Sequence, residues 1–257
     1  MLPKPNLPLF AASALLFFGA CQAEEQTHED LPANNPQAHL PIGGETHQTA
    51  FQDSDTEAAE MASKEVIDET LADVAAEGEL ARAYFASGCF WCVEAIYESV
   101  RGVSESISGY SGGHTQNPTY DSSNTGKTGH AEAVEIQYDP AVVSFASLVD
   151  VYFGSQDITQ KNGQGPDRGS QYRSIIFYQN ETQKQIIDAK IAELNRDLDG
   201  QTVAAEVMAF EKFWVGEDYH QNFERLHPQH RYIVGVSVPR LRRFQAKFPE
   251  LLKPSDH

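Results

Sequence analysis

The sequence predicts a two-layer α/β domain, with helices packed on a sheet, behind a disordered acidic N-terminal tether. Three observations carry that expectation. From Arg82 onward, short apolar or alternating runs that read as strands take turns with longer runs at helical spacing, the pattern of layered α/β folds. Two long polar stretches separate them, and loops of that length are usually kept for function. The charge is also segregated. Of a net charge of −18 over 257 residues, Gln22 to Ala81 carries −14, with 15 acidic residues against Lys64 alone. Arg82 to His257 carries only −5, with 22 acidic and 17 basic residues, and Lys4 adds the last +1. No Lys/Arg-rich surface follows from those numbers, so nucleic-acid binding is disfavoured. Three cysteines, Cys21, Cys89 and Cys92, exclude a disulfide-rich scaffold.

The elements follow in order. Ala83 to Ala86 is a short apolar run ending at Ser87-Gly88 and reads as a buried strand. Val93, Ile96, Tyr97 and Val100 then recur at i, i+3, i+4 and i+7, which predicts a helix over Cys89 to Val100 packed on a sheet. Val103 to Tyr110 alternates as a strand, and Ser111 to Gly129 is polar and Gly-rich, a loop. Ala131 to Tyr138 alternates again as a second long strand, turned by Asp139-Pro140. Phe145, Leu148, Val149 and Tyr152 fit a helix, and Ser155 to Gln171 is the second long loop. A strand at Tyr172 to Tyr178, a helix at Thr182 to Leu198 closed by Gly200, and a strand at Thr202 to Phe210 follow. An aromatic loop, a helix from about Asp218 to Leu226 and a short helix near Arg240 to Phe248 complete the pattern over residues 82–257.

Residues 1–21 read as a targeting segment. Lys4 precedes an apolar run, Leu7 to Ala20, broken only by Pro8, Ser13 and Gly19. The run is shorter than the roughly 20 apolar residues of a membrane span and has the length of a signal-peptide core. Phe18-Gly19-Ala20-Cys21 resembles a bacterial lipobox, with Phe18 where an aliphatic residue is usual; Cys21 is then the acylation candidate. The alternative is a plain secretory signal cut near Ala20 or Ala23. Both readings export the mature protein, and the first places it in the periplasm on a lipid anchor. Residues 22–81 form the acidic linker. Pro32, Pro36 and Pro41 and the lack of an apolar period up to Ala50 predict disorder, while Ile67, Leu71 and Val74 allow a short helix near residues 56–78. His28, His39 and His47 are too irregularly spaced for a metal tract.

The chemistry concentrates at Gly88-Cys89-Phe90-Trp91-Cys92-Val93-Glu94. A cysteine at a strand-to-helix junction meets the positive end of the helix dipole, which predicts a depressed pKa and a reactive thiolate. Phe90 and Trp91 set a large apolar surface beside it, suited to a substrate with a small apolar group next to an electrophilic atom. The plain alternative, a buried cysteine acting as a small hydrophobe, is weakened by a second cysteine three residues on.

Gly88-Cys89-Phe90-Trp91 resembles the opening motif of the A-type peptide methionine sulfoxide reductases, and the resemblance extends in order through the chain. It continues through Ser108-Gly109-Tyr110-Ser111-Gly112-Gly113, Asn117-Pro118-Thr119-Tyr120 and Thr128-Gly129-His130-Ala131-Glu132. It ends with Gly169-Ser170-Gln171-Tyr172-Arg173-Ser174 and Glu217-Asp218-Tyr219-His220-Gln221. It covers Arg82 to about Leu252. The resemblance implies a ferredoxin-like core and reduction of methionine-S-sulfoxide, free or in oxidised proteins, each epimer needing its own enzyme type. It implies that Cys89 attacks the sulfoxide sulfur and becomes a sulfenic acid, while Phe90 and Trp91 hold the S-methyl group. Glu132 protonates the oxygen, helped by Tyr120 and Tyr172, and Asp167 binds substrate through water. No bound cofactor and no metal are implied; electrons come from an external thiol, a thioredoxin-like protein or a dithiol.

The sequence departs from the family in three places. Pro166 replaces a usual Asn beside Asp167, Ser155-Gln156-Asp157-Ile158 stands where His-Asp-Pro is common, and no cysteine follows Cys92. The sulfenic acid must then be resolved by Cys92 or by an outside thiol. Two rivals remain on the sequence: a thioredoxin-like disulfide oxidoreductase built on Cys89-Phe90-Trp91-Cys92, and a silent lipoprotein that binds methionyl peptides. Elsewhere the readings are structural. Gly109 to Gly113 are turn glycines without a phosphate-loop pattern, and His227 and His230 are exposed loop residues. His220 packs the C-terminal segment, and Arg240, Arg242 and Arg243 form one solvated helix face.

Overall fold

The computed structural model describes residues 68–73 and 79–254. Cys21, the targeting segment and most of the acidic linker lie outside the described residues. In chain order the elements are β1 (Ala81–Ser87), α1 (Phe90–Glu98), β2 (Val103–Ser111), a five-residue α2 (Tyr120–Asn124) and β3 (Ala131–Tyr138). There follow α3 (Phe145–Gly154), the two-residue strands β4 (Gly163–Gln164) and β5 (Asp167–Arg168), β6 (Ser174–Tyr178) and α4 (Glu181–Arg196). Strands β7 (Glu206–Ala209) and β8 (Trp214–Val215), the single turn α5 (Phe223–Leu226) and α6 (Val238–Lys247) close the chain.

The main sheet runs β7-β6-β1-β3-β2-β8. Its neighbours pair antiparallel except β6 with β7, which are parallel. Leaving out the outer strands, β1-α1-β2-β3-α3-β6 with the order β6-β1-β3-β2 is the ferredoxin-like core the sequence led us to expect. Strand period explains why β1 reads as a continuous apolar run. Ala83 and Phe85 enter the main core under the helices, while Tyr84 and Ala86 join a smaller apolar cluster on the opposite face. Phe85 sits among Tyr97, Phe145 and Tyr152, with ring centroids 5.2 to 6.2 Å away. On the other face, Phe210 stacks on Tyr84 at 3.7 Å, so a loop rather than a helix covers it.

Helix ends match their sequence signals. Ser144 caps α3 by accepting from Ser147 N at 3.2 Å, and Asn180 caps α4 by accepting from Gln183 N at 2.8 Å. Four expectations are corrected. The predicted helix from Asp218 to Leu226 breaks at Asn222, whose φ of +56° leaves only a 3-10 turn, Asp218–His220, and α5. The Thr202 strand starts at Glu206, because Val203 N donates to Asn195 Oδ1 and Ala204 N to Ile158 O instead of pairing in the sheet. The Ser111–Gly129 loop holds α2, capped by Thr119. Tyr172, placed in a strand from sequence, lies in a 3-10 turn.

Within the expected helix near residues 56–78, the described part is one 3-10 turn, Glu69–Ala72; Ile67 and Val74 lie outside the described residues. Leu71 is 63% exposed, so it forms no buried helix face. The turn is nevertheless held down: Gln183 Nε2 donates to Ala72 O, Asn180 Nδ2 to Leu71 O, and the Tyr138 hydroxyl to Asp73 Oδ1, at 2.8 to 2.9 Å.

Candidate active site

Cys89 caps the N-terminus of α1, directly after β1. The turn into it depends on Gly88, which has φ +82° and whose missing Cβ would lie 2.5 Å from Gln164 Cβ. Only glycine lets the Gln164 loop close over this junction. Gln164 in turn is buried and ties its loop together, accepting from Asp157 N and donating to Asp157 O and Gln156 Oε1. The Gln156 position thus holds the loop shape where the family commonly has a different sequence.

A cavity of about 290 Å³ opens over Cys89. Its lining includes Phe90, Trp91, Tyr120, Glu132, Asp167 and Tyr172, so every front-site residue singled out from the sequence is brought together. Cys92 is the exception. It is buried and lines a different cavity, which shares Asp167 with the first.

Glu132 is 2% exposed, and its Oε2 accepts from Phe90 N at 3.0 Å. The carboxyl therefore occupies the first free amide of α1. Burial outweighs that hydrogen bond, and with repulsion from Asp167 and Cys92 it pushes the Glu132 pKa up to about 8. At neutral pH Glu132 is mainly a neutral acid facing the Cys89 cavity.

The expected depression of the Cys89 pKa is corrected. Burial pushes this thiol well above its ordinary range, and nearby Cys92 and Glu132 push the same way. Burial is the main cause; the Phe90 amide at the helix start is spent on Glu132, and only the Tyr232 hydroxyl works the other way. Cys92 moves in the opposite direction, lowered by a hydrogen bond from Cys89, by the Arg240 charge and by Ser237 and Tyr232. The resting negative charge of the pair thus belongs to Cys92.

The aromatic wall is assembled from the C-terminal third. Trp91 stacks on Phe223 with centroids 3.7 Å apart and planes 6° from parallel, and its Nε1–H donates to His220 Nδ1 at 3.2 Å. His220 is buried, which lowers its pKa and keeps it neutral, as an acceptor at Nδ1 requires. Its ring also lies 4.7 Å from Phe90 and 4.6 Å from Tyr120. The structural role expected for His220 is therefore specific: it fixes Trp91. The rest of the Glu217–Gln221 motif anchors that arrangement. Glu217 accepts from the Tyr110 hydroxyl and from Tyr120 N, tying α2 to the sheet. Gln221 pairs with both backbone groups of Ser108 at 2.9 Å, like an added strand residue. Buried Glu94, raised to about 7 by burial, accepts from Ser108 Oγ and Asn222 N, and so holds the turn that presents Phe223.

Two cavity residues, Arg231 and Tyr232, escaped the sequence reading, and a third, His230, was read as an exposed loop residue outside the site. Tyr232 donates to Asp167 Oδ2 at 2.5 Å and lies 3.6 Å from Cys92 Sγ. Arg231 and His230 join it at the rim. His230 is exposed as expected but edges Trp91 at 6.1 Å, so it is part of the site and not a bystander. Among the described residues no metal-binding group of His, Cys, Asp and Glu forms around it. Arg240 is also corrected. It is 8% exposed, not solvated, and its guanidinium donates to Ser155 O, Ser87 O and Ser87 Oγ at 2.8 to 3.0 Å. Arg242 and Arg243 are exposed.

Comparison with known proteins agrees with this geometry. The family model for peptide methionine sulfoxide reductase matches residues 81–251. A Pasteurella multocida protein described as peptide methionine sulfoxide reductase MsrA is 43% identical over 172 residues, 67% of this chain and 98% of its own. A Saccharolobus solfataricus protein of the same description is 42% identical over 171 residues, covering 66% and 96%. Among solved structures, methionine sulfoxide reductase A of Corynebacterium diphtheriae superposes with a TM-score of 0.53 at 31% identity, covering 60% of this chain and 77% of that one. Reduced Mxr1 from Saccharomyces cerevisiae gives 0.54 at 29% identity, covering 60% and 90%. The matched span takes in every residue around the Cys89 cavity, and the chain belongs to the peptide methionine sulfoxide reductase family.

Proposed function

We propose that this enzyme reduces the S epimer of methionine sulfoxide, free or within oxidised proteins, through a sulfenic acid on Cys89. One observation carries the reading: a buried, neutral Glu132 carboxyl shares a small aromatic-walled cavity with a buried cysteine. A sulfoxide oxygen is a poor leaving group until protonated, and a carboxyl poised near the working pH is the acid for that task. Phe90 and Trp91 hold the S-methyl group and turn the sulfoxide sulfur toward Cys89. The Tyr120 and Tyr172 hydroxyls steady the oxygen, and Asp167, held by Tyr232, sits at the rim for the backbone side of the substrate.

The first step balances as a transfer of oxygen. The Cys89 S–H bond and the sulfoxide S–O bond are replaced by Cys89 S–O–H and a thioether. The sulfoxide sulfur gains two electrons and Cys89 loses two. Glu132 gives its proton to the oxygen and recovers one from the thiol. Cys92, the thiolate of the pair, then attacks the Cys89 sulfur, and hydroxide leaves as water with a proton from solvent. On a regular helix the Cβ atoms of residues three apart lie about 5–6 Å from each other, beyond the roughly 3.5–4.5 Å of a disulfide. Cys89 is the non-helical cap of α1, free of that spacing, and its thiol is already hydrogen-bonded to Cys92; the bond that closes there is reduced by an external thiol, thioredoxin-like or a small dithiol. Acylation at Cys21 would tether this chemistry to a bacterial membrane facing the periplasm.

Cys89→Ser is expected to release no methionine, whereas Cys92→Ser still forms one equivalent per enzyme without reductant. Single-turnover quantification of methionine checks both, and methionine from Cys89→Ser would reject the nucleophile assignment.

Because the acidic form of Glu132 is the active one, single-turnover methionine formation should fall as pH rises through about 8. Glu132→Gln should lower the rate by about 10²–10⁴-fold and abolish that fall. A wild-type rate that climbs through pH 8 would place the essential proton elsewhere.

For location, Cys21→Ala should move the protein from the membrane fraction to soluble or unprocessed forms. Wild-type protein found wholly in the soluble periplasmic fraction would favour the plain signal peptide.

A further inference from the structure

The two thiols open onto different spaces. Cys89 lines the 290 Å³ front cavity, which Cys92 does not reach. Cys92 lines a separate recess of about 490 Å³, which Cys89 does not reach. The recess lies between the Ser155–Asp167 loop and α6, and Asp167 borders both spaces. We propose that this recess is the entry for the reductant: a thiol carrying negative charge approaches Cys92 there, outside the cavity that holds the methionine site. The inference rests on the Cys89–Cys92 disulfide of the preceding section.

Stereochemistry supplies the first argument. Thiol–disulfide exchange proceeds by attack of a thiolate on one sulfur with the other as leaving group. The attacking sulfur must lie roughly opposite the leaving one. An approach to the Cys92 sulfur with Cys89 leaving needs a space that opens on Cys92, and the recess is one, with Cys92 but not Cys89 in its wall. Attack on Cys89 would instead have to pass through the front cavity, where the substrate or its thioether product sits.

Charge supplies the second. Arg240 is locked beneath the recess by its three hydrogen bonds to Ser87 and Ser155. One and two turns along the same helix face, Arg243 and Lys247 are exposed at the wall and form no ion pair among the described residues. Of the acids there, Asp157 is turned into its own loop, accepting from Thr159 N and Oγ1. Asp167 accepts from Tyr232. Three cations, Arg240, Arg243 and Lys247, face two acids around the recess, and a thiolate is drawn to the surplus positive charge. Three glutamines, Gln156, Gln160 and Gln164, add amide groups suited to a peptide or carboxylate.

The exchange balances. The incoming thiolate bonds to the Cys92 sulfur as the Cys89–Cys92 bond breaks, and Cys89 leaves as a thiol with the proton of the neighbouring Glu132 carboxyl, which solvent restores. A second thiolate then attacks the reductant sulfur, releasing its disulfide and the Cys92 thiolate. Two thiols are oxidised and the enzyme gains two electrons. A free thiol acid and a cysteine beside acidic residues on a protein both supply this chemistry.

The test uses enzyme oxidised by one equivalent of methionine sulfoxide without reductant, and mass spectrometry first establishes the disulfide. Its reduction is then timed with 2-mercaptoethanesulfonate, 2-mercaptoethanol and cysteamine, with rates compared per thiolate at low salt. The anionic thiol should react several-fold faster than the neutral one and the cationic thiol slowest. Arg243→Glu with Lys247→Glu should invert that order while leaving single-turnover methionine formation unchanged. Val236→Trp, which narrows the recess, should slow all three. Saturation by 2-mercaptoethanesulfonate assigns the recess to a free thiol acid; saturation only by a protein dithiol, with the same sensitivity to charge reversal, assigns it to a protein. A disulfide reduced at equal rates by all three thiols, before and after charge reversal, overturns the recess as the entry. A sulfenic acid persisting on Cys89 with no disulfide overturns the recycling step and this inference together.

Discussion

One contact organises the reactive end of the molecule: the Glu132 carboxyl accepting the first amide of α1, at Phe90, inside the core. It joins the central strand β3 to the helix that carries both cysteines. It also decides where charge can settle. A carboxyl taken out of water is costly as an anion, so it keeps its proton to about pH 8. With the helix amide occupied, burial outweighs the one hydrogen bond that favours a thiolate, from Tyr232, and keeps Cys89 protonated. The site therefore rests with its nucleophile and its acid both protonated, which suits a reaction in which an oxygen atom moves to sulfur and departs with a proton.

The second dependence is long-range. Trp91 follows Phe90 in sequence, yet its orientation comes from His220 and Phe223, about 130 residues later. Those residues are held in turn by Gln221 on the Ser108 backbone and by Glu94 on Asn222 N. The Glu217–Gln221 segment thus acts as a clasp. One end fastens α2 through Glu217, and the other fixes the aromatic wall. Buried polar groups of this kind are costly unless satisfied, and nearly every one in the clasp has a partner; His220 Nε2 has only Glu217 Oε2, 3.7 Å away.

Much of this was legible in the residues. Strand alternation gave β2 and β3, and helical spacing gave α1, α3 and α4, because each buries one face against the sheet. Four of the six motifs of the family resemblance reach one cavity, through Cys89, Tyr120, Glu132 and Tyr172, and the other two brace it. Elements whose form depends on distant partners were not legible. Asn222 breaks a helix that local spacing favours, since Glu94 captures its amide. Arg240 looks like one of three surface arginines until Ser87 and Ser155 are seen to need a donor. Tyr232 stands in a polar run that gives no sign of its contact with Asp167 and Cys92. The sign of the Cys89 shift failed for the same reason, because a helix-start rule cannot know how deeply the folded chain buries the thiol or that a carboxyl from another strand has taken the amide.

The central claim is that Glu132 is a neutral acid in the resting enzyme, and it can be read without turnover. Infrared difference spectroscopy across a pH titration, with Glu132→Gln as the reference, isolates the carboxylic C=O stretch of this one side chain. The account predicts a protonated carboxyl at pH 7 that titrates with a midpoint near 8. A midpoint near the ordinary glutamate value, with the band absent at pH 7, would contradict it.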